Sequence, residues 1–450
     1  MSRRRVLLVA NDRVGSSMAG PGIRYWRFAQ ELAREFDVTL SVPFETALDA
    51  DGFHVVVANP WQAREMTPLV RGFDAVVTQR LPVPTLRALA GSAARTIFDL
   101  YAPLTIENLA FDALAEWTAA RAAYFRLNSL TQELVLLTGD AFVCASEKQR
   151  DLWLGSLLAL GRLDHETCAR DPSLRDLLDV VPFGVEPEPP RHDRPVLRGV
   201  VPGIGEQDTV LLWGGGIWNW FDPLTPIRAV DELRRRRDDV RLFFLGIAHP
   251  NPHVPAMAMT QRALDLSDEL GLTGRYVFFN EGWVPYAERG AYLLEADLGV
   301  SAHFNHLEPR FAFRTRLVDC FWAGLPVVTT EGDSLADLIE ARGLGRTLPV
   351  GDVAGWVEVL DRLIGDPAER AAIAERMAGV RAELAWPRVV EPLARLLSLS
   401  GPSGARPLRV RQLARYGAAR IESAVAERGL AGTARRALQL ALPRSRPPLG

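Results

Sequence analysis

Between residues 303 and 328 the chain reads His303-Phe-Asn-His-Leu-Glu308-Pro-Arg-Phe-Ala-Phe-Arg314-Thr315-Arg316-Leu-Val-Asp319-Cys-Phe-Trp-Ala-Gly324-Leu-Pro326-Val-Val. The pattern predicts a strand ending near His303, a loop carrying Glu308, and a helix starting near Arg314. A helix N-terminus presents unpaired N–H groups and partial positive charge, which suits a phosphate or diphosphate. Arg314 and Arg316 oppose the helix dipole in that first turn, and an anionic ligand would explain them. Asp319 follows Arg316 by three residues, on the same helical face. It could accept hydroxyl hydrogen bonds from a ribose while Arg316 reaches phosphate, or the two could simply pair.

Several other chemistries are excluded or demoted. His303-x-x-His306-x-Glu308 has ligand-type residues, but on an irregular loop, where ordinary loop or ligand-contact roles are expected and no metal. Gly203-Ile-Gly205 lacks a third glycine and precedes a strand, so it is no dinucleotide fingerprint. Lys148 is the only lysine, which leaves no phosphate-binding P-loop. No G-x-S-x-G nucleophile elbow occurs. Cys144, Cys168 and Cys320 lie far apart without a C-x-x-C, which argues against a disulfide scaffold or zinc ribbon and for a reducing compartment.

The elements that must hold these residues alternate. Strands are predicted at 5–10, 38–42, 54–58, 75–78, 96–100 and 141–145, with a helix at 23–36 and a capping box, Ser146-Glu-Lys-Gln149, opening another. A Pro- and Gly-rich stretch over 180–202 reads as a linker. The alternation then restarts with strands at 209–213, 240–245, 276–279, 297–301 and 326–330, and helices at 226–236 and 314–322. This is an α/β chain of two Rossmann-like halves, with parallel sheets covered on both faces and a site in the cleft between their carboxyl edges. A length of 450 residues fits two cores, and 48% hydrophobic with 24% charged residues argues against disorder. A net charge of −3 gives no footprint for nucleic acid. The apolar run Val6–Ala10 is too short for a signal peptide and no stretch reaches spanning length, so a cytoplasmic protein is expected, at most peripheral to a membrane.

Glu308…Asp319-x-x-x-x-Gly324-x-Pro-Val-Val resembles the donor-site signature of GT-B glycosyltransferases of the retaining, GT4-like group. In that family two glutamates precede the Gly-x-Pro-Val-Val strand. The second binds the ribose of the nucleotide, and Asp319 stands there. The first binds donor-sugar hydroxyls. The family spacing falls on Phe311, and Glu308, eleven residues before Asp319, is assigned the role with a longer loop. Gly214-Gly215-Gly216 resembles the loop that opens the donor domain, but Ile-Trp-Asn-Trp-Phe-Asp222 follows where members carry an Arg and a Lys for the diphosphate. That burden moves to Arg314 and Arg316. Phe279-x-x-Gly-Trp283-Val284-Pro285 resembles the nucleobase loop, and Val181-Pro-Phe-Gly-Val185 the exit from the first domain. Gly20-Pro-Gly22 with Arg24 resembles the glycine loop near the acceptor, and Asp99-Leu-Tyr101 the strand end where members often carry a histidine. Trp386-Pro-Arg resembles the start of a last helix that crosses back to the first domain.

The resemblance implies domains at 1–187 (acceptor), 188–400 (nucleotide-sugar donor) and a basic extension at 401–450. It implies a hexosyltransferase-type enzyme with a nucleotide-diphosphate sugar as co-substrate and no cofactor. The acceptor would be a glycan, a lipid-linked molecule or a small metabolite, in cell-surface polysaccharide, glycolipid or secondary-metabolite synthesis. Glu308, Arg314 and Arg316 would carry catalysis; Gly215, Gly216, Trp283, Val284, Thr315 and Asp319 would hold the donor; Gly20, Gly22, Arg24, Asp99 and Tyr101 would face the acceptor. A nucleotide-sugar 2-epimerase and a non-catalytic nucleotide-sugar binding protein remain alternatives. Residues 401–450 carry ten Arg and two Glu. They read as a solvated, partly disordered tail, or as an amphipathic helix near 410–441 resting on anionic lipid.

Overall fold

The computed structural model describes residues 3–111, 116–249, 251, 254–399 and 408–441. The first sheet contains β1 (Arg5–Val9), β2 (Asp37–Val42), β3 (His54–Val57), β4 (Ala75–Thr78), β5 (Arg95–Asp99), β6 (Ala141–Cys144) and β7 (Leu178–Val180), in the order β3-β2-β1-β4-β5-β6-β7. The second contains β8 (Thr209–Trp213), β9 (Val240–Phe244), β10 (Val277–Phe279), β11 (Leu298–Ser301), β12 (Val327–Thr330) and β13 (Gly345–Leu348), in the order β10-β9-β8-β11-β12-β13. Every ladder in both sheets is parallel. Both faces are therefore covered, which is why β1 is a continuous apolar run. Val6 and Leu8 pack on the helix Gly20–Leu32 through Tyr25, Phe28 and Leu32, while Leu7 and Val9 face Met66, Leu86 and Leu134 on the other side. The strand order reverses between β1 and β4, and again between β8 and β11. Loops leaving the carboxyl ends diverge at such points and open a crevice.

The two strands without a sequence signal, β7 and β13, each form one edge of a sheet, opposite β3 and β10. Leu178-Asp-Val180 and Gly345-Arg-Thr-Leu348 are short and interrupted by polar residues, so neither shows the apolar run that marks a buried strand.

The chain returns to its first domain at Trp386, well before residue 400. Val185 N–H donates to Leu384 C=O and Trp386 N–H to Val185 C=O, at 2.8 and 2.9 Å. Trp386, Leu393, Leu396 and Leu397 then complete the core beneath the Gly20–Leu32 helix, with the Trp386 ring edge-on to Phe28 and Phe183.

The basic extension is not a solvated tail where it is described. A helix over Val410–Ala441, with a break at Gly429, lies along the helix Ala119–Thr138 of the first domain. Leu408, Leu413 and Tyr416 pack on that domain's core, Ala419 is buried, and Arg126–Glu422 and Arg415–Glu133 pair across the contact. Apolar residues within the basic sequence explain the docking, because they cover surface that the sheet's helices leave open. Residues 401–407 and 442–450 of the expected extension lie outside the described residues. No described helix is long and apolar enough to cross a membrane.

Candidate functional site

A cavity of about 510 Å³ lies where the carboxyl edges of the two sheets confront each other. The first domain contributes Asn11 and Asp12 after β1, Gln79 after β4, and Tyr101, Leu104 and Glu107 after β5. It also contributes Gly20, at the start of its helix. The second domain contributes Gly214–Gly216 after β8, Gly246 and His249 after β9, Trp283 and Val284 after β10, and Glu308 and Arg314–Arg316 after β11. The walls thus come from the loops that the topology predicts.

The helix Thr315–Ala323 has no side-chain cap at its N-terminus, and Thr315, Arg316 and Asp319 all line the cavity. Arg314 and Arg316 differ. Arg314 donates to both oxygens of Glu308, at 2.7 and 2.6 Å, and lies 3.6 Å from Asp333, so protein anions already answer its charge. Among the described residues Arg316 has no carboxylate partner: Nη2 donates to Gly216 C=O at 2.7 Å, its guanidinium lies over Phe221 and Trp213, and Nη1 is buried without a partner. Burial, and then the neighbouring Arg314 charge, push its pKa down. A guanidinium still stays protonated at neutral pH, so this is a cation short of an anion.

Asp319 pairs with Arg289, at 3.1 Å, and not with Arg316. Arg289 also binds Glu186 at 2.7 Å and the Tyr286 carbonyl at 2.9 Å, and Glu186 holds Arg27 of the first domain. Burial raises the Asp319 carboxyl and Arg289 partly offsets it. Gly215 adopts φ +107°, a conformation that L side chains rarely take, which lets the Gly214–Gly216 backbone turn into the cavity.

Around that loop runs an aromatic wall. Trp218 and Trp220 stack at 5.1 Å and 7°, and His249 lies between Trp218 and Trp283 at 5.4 and 5.5 Å. Burial lowers the His249 pKa, so the ring is neutral near pH 7. His303 is pushed down to about 3 by burial and by Arg314, and its Nε2 has no partner. His306 Nδ1 accepts from Glu308 N–H at 3.3 Å and starts the short Leu307–Phe311 helix. Among the described residues no cluster of three or more His, Cys, Asp or Glu is arranged to hold a metal ion.

Of the residues singled out by sequence, Gly20, Tyr101, Gly215, Gly216, Trp283, Val284, Glu308, Arg314, Thr315, Arg316 and Asp319 line this one cavity. Three do not. Arg24 and Asp99 are fully buried and form a two-point ion pair at 2.7 and 3.0 Å, and Arg24 donates further to Pro182 and Val181 carbonyls. Four of the five Arg24 N–H donors are thus engaged and none faces the cavity, so the pair fastens the first helix to β5 and to the segment after β7. Gly22 is needed for packing: a Cβ there would meet the Arg13 carbonyl oxygen at 2.1 Å.

Sequence reasoning passed over Glu107, Arg289, His249 and the Trp218–Trp220 stack. The alternation Trp218-Asn-Trp220 was a usable signal, since two tryptophans on a loop after a strand need a face to cover. Arg289 and Glu107 had none, because each meets the cavity only through tertiary packing.

No family model matches the sequence, and no curated protein matches it. Solved structures match in shape. WaaG, a glycosyltransferase involved in lipopolysaccharide biosynthesis, superposes with a TM-score of 0.62 at 16% identity, over 88% of this chain and 100% of that one. Anabaena HepE in complex with UDP-glucose gives 0.61 at 13%, over 88% and 99%. Sucrose-phosphate synthase from Thermosynechococcus elongatus gives 0.59 at 14%, over 88% and 98%. Two parallel sheets meeting edge to edge, with a C-terminal segment returning to the first domain, give this chain the two-domain GT-B fold.

Proposed function

We propose that this protein is a glycosyltransferase that moves a sugar from a nucleoside-diphosphate sugar to an acceptor hydroxyl, with retention and without a metal ion. The observation that carries this reading is Arg316: a buried, cavity-lining cation with an unpartnered nitrogen at an uncapped helix N-terminus. A departing diphosphate supplies the missing acceptor, and fixed donors aimed at developing negative charge lower the barrier to its departure. HepE is solved with UDP-glucose and the Escherichia coli trehalose-6-phosphate structure with UDP-2-fluoro glucose, and both share the fold.

In this reading the Thr315 hydroxyl and the helix terminus assist Arg316, and Gly215 and Gly216 let backbone approach the diphosphate. Trp283 and Val284 border the nucleobase, and Asp319 accepts from the ribose through the oxygen that Arg289 leaves open. Glu308 orients the sugar: a carboxylate has about four lone-pair sites, so the two bonds from Arg314 leave capacity. The acceptor, a glycan, a lipid-linked molecule or a small metabolite, enters beside Gly20 and Tyr101. The Trp218–Trp220 stack follows the glycine loop where the family places an Arg and a Lys, which concentrates the anion-binding role on Arg316. Membrane contact through the extension would use its outward face, where Val410, Arg411, Arg420 and Ile421 are exposed.

Thermal unfolding against UDP-, GDP-, ADP- and TDP-sugars, with and without magnesium, tests the donor site. A true donor at a hundredfold excess over its Kd stabilises the fold by about 2.7 kcal/mol. A shift with one nucleotide, unaffected by magnesium and lost in Arg316→Ala, is the expected result; no shift with any of them sinks the reading. Release of nucleoside diphosphate that depends on an acceptor separates transfer from 2-epimerisation, which alters the sugar, and from binding alone.

A further inference from the structure

Four carboxylates line the cavity: Asp12, Glu107, Glu308 and Asp319. Three are engaged. Asp12 accepts from Arg13 N–H and Asn251 Nδ2 at 2.8 Å each, Glu308 is held by Arg314, and Asp319 by Arg289. Glu107 alone makes no side-chain hydrogen bond or ion pair among the described residues. It sits on the first-domain helix Leu104–Phe111, which packs across the cleft on the second-domain helix Leu307–Phe311. A carboxyl from the acceptor side therefore faces the Glu308–Arg314 pair on the donor side.

The surroundings make Glu107 more basic than an ordinary carboxylate. Burial and the Glu308 charge raise its pKa to about 8, while Arg314, committed to Glu308, lowers it only in part. Tyr101 after β5 lines the same cavity, and the elements packed against the Glu107 helix carry Arg310 on Leu307–Phe311 and Arg121, Tyr124, Arg126 and Glu133 on Ala119–Thr138. Arg126 is held by Glu422. A carboxyl that titrates near working pH and borders a cavity without a partner is suited to proton transfer, whereas a packing residue in that place would be apolar.

Resting on the glycosyltransferase reading, we infer that Glu107 is the base that takes the proton from the attacking acceptor hydroxyl. As the acceptor oxygen bonds to the anomeric carbon on the face that the diphosphate leaves, the bond from that carbon to the diphosphate oxygen breaks and its electron pair leaves with the diphosphate. The hydroxyl proton passes to the Glu107 carboxylate and is released to solvent when product departs.

The test uses the full chain, whichever nucleotide-sugar binds from the panel above, and water as the probe acceptor, with nucleoside-diphosphate release followed across pH. Wild-type kcat should rise with pH through a midpoint near about 8. In Glu107→Gln, kcat should fall about a hundredfold, the midpoint should vanish, and KM for the nucleotide-sugar should stay unchanged. Formate should restore part of the rate to Glu107→Ala, which a merely structural role would not allow. The unfolding midpoints of both variants check that they fold. Wild-type rate and pH profile retained in Glu107→Gln would overturn the inference, as would a wild-type protein that binds the donor but never turns it over. Failure of the wild type to bind any donor would instead overturn the glycosyltransferase reading, and this inference with it.

Discussion

Two buried arginine–carboxylate pairs share almost the same local geometry and differ in everything else. Arg24 meets Asp99 at two points with both side chains fully enclosed, and two backbone carbonyls take two further donors. Arg314 meets Glu308 at two points as well, yet both residues border the cavity, and Asp333 stands in reserve 3.6 Å away. The first pair is closed: nothing can enter without breaking it. The second has spare acceptor capacity and a void beside it. Two-point charge pairing by itself therefore says nothing about function; unsatisfied capacity next to open space does.

The closed pair should be the more costly of the two to open. Asp99→Ala strands the Arg24 charge in the core and should cost about 3–5 kcal/mol in denaturant unfolding, while replacing both residues with apolar ones should recover much of that. A normal unfolding midpoint with abolished activity would return the pair to the site. Next comes Arg316→Ala, which should lower turnover by about a hundred- to a thousandfold, on the scale of losing one oxyanion-type donor, with little change in unfolding. Unchanged turnover would remove Arg316 as the diphosphate's partner.

Glu308→Gln sharpens the contrast between the pairs. Arg314 keeps Asp333, so stability should fall by only about 1–3 kcal/mol, less than for Asp99→Ala, while donor turnover drops. An equal stability loss at the two sites would show that both pairs are structural. The smallest effect belongs to the half-exposed Arg126–Glu422 contact of the C-terminal helix. Arg126→Ala should change unfolding by less than about 1 kcal/mol, and a larger loss would mean that the helix is integral to the first domain.

Much of the fold was legible in the sequence. Central strands such as Arg5–Val9 and Thr209–Trp213 must be apolar on both faces, and Ser146 announces its helix because its hydroxyl accepts from Gln149 N–H. The strands β7 and β13 were silent because Asp179, and Arg346 with Thr347, interrupt their short apolar runs. In the site, the 303–328 block and the glycine loop were legible because strand ends and helix starts have local signatures. Arg24 and Asp99 lie off the cavity because position in a helix or at a strand end does not reveal which way a side chain turns.

The chain's order of residues, by itself, determined the two parallel sheets, the glycine turns and the helix start that places Arg316, since each rests on contacts within a few residues or on a repeating apolar period. Which charges are satisfied was decided only in three dimensions. Arg289 reaches Asp319, Arg314 reaches Asp333, and Glu107 faces Glu308 from the other domain, through contacts between elements that are distant in the chain. Desolvation depends on that packing, so the same arginine is a bolt at position 24 and an unanswered cation at position 316.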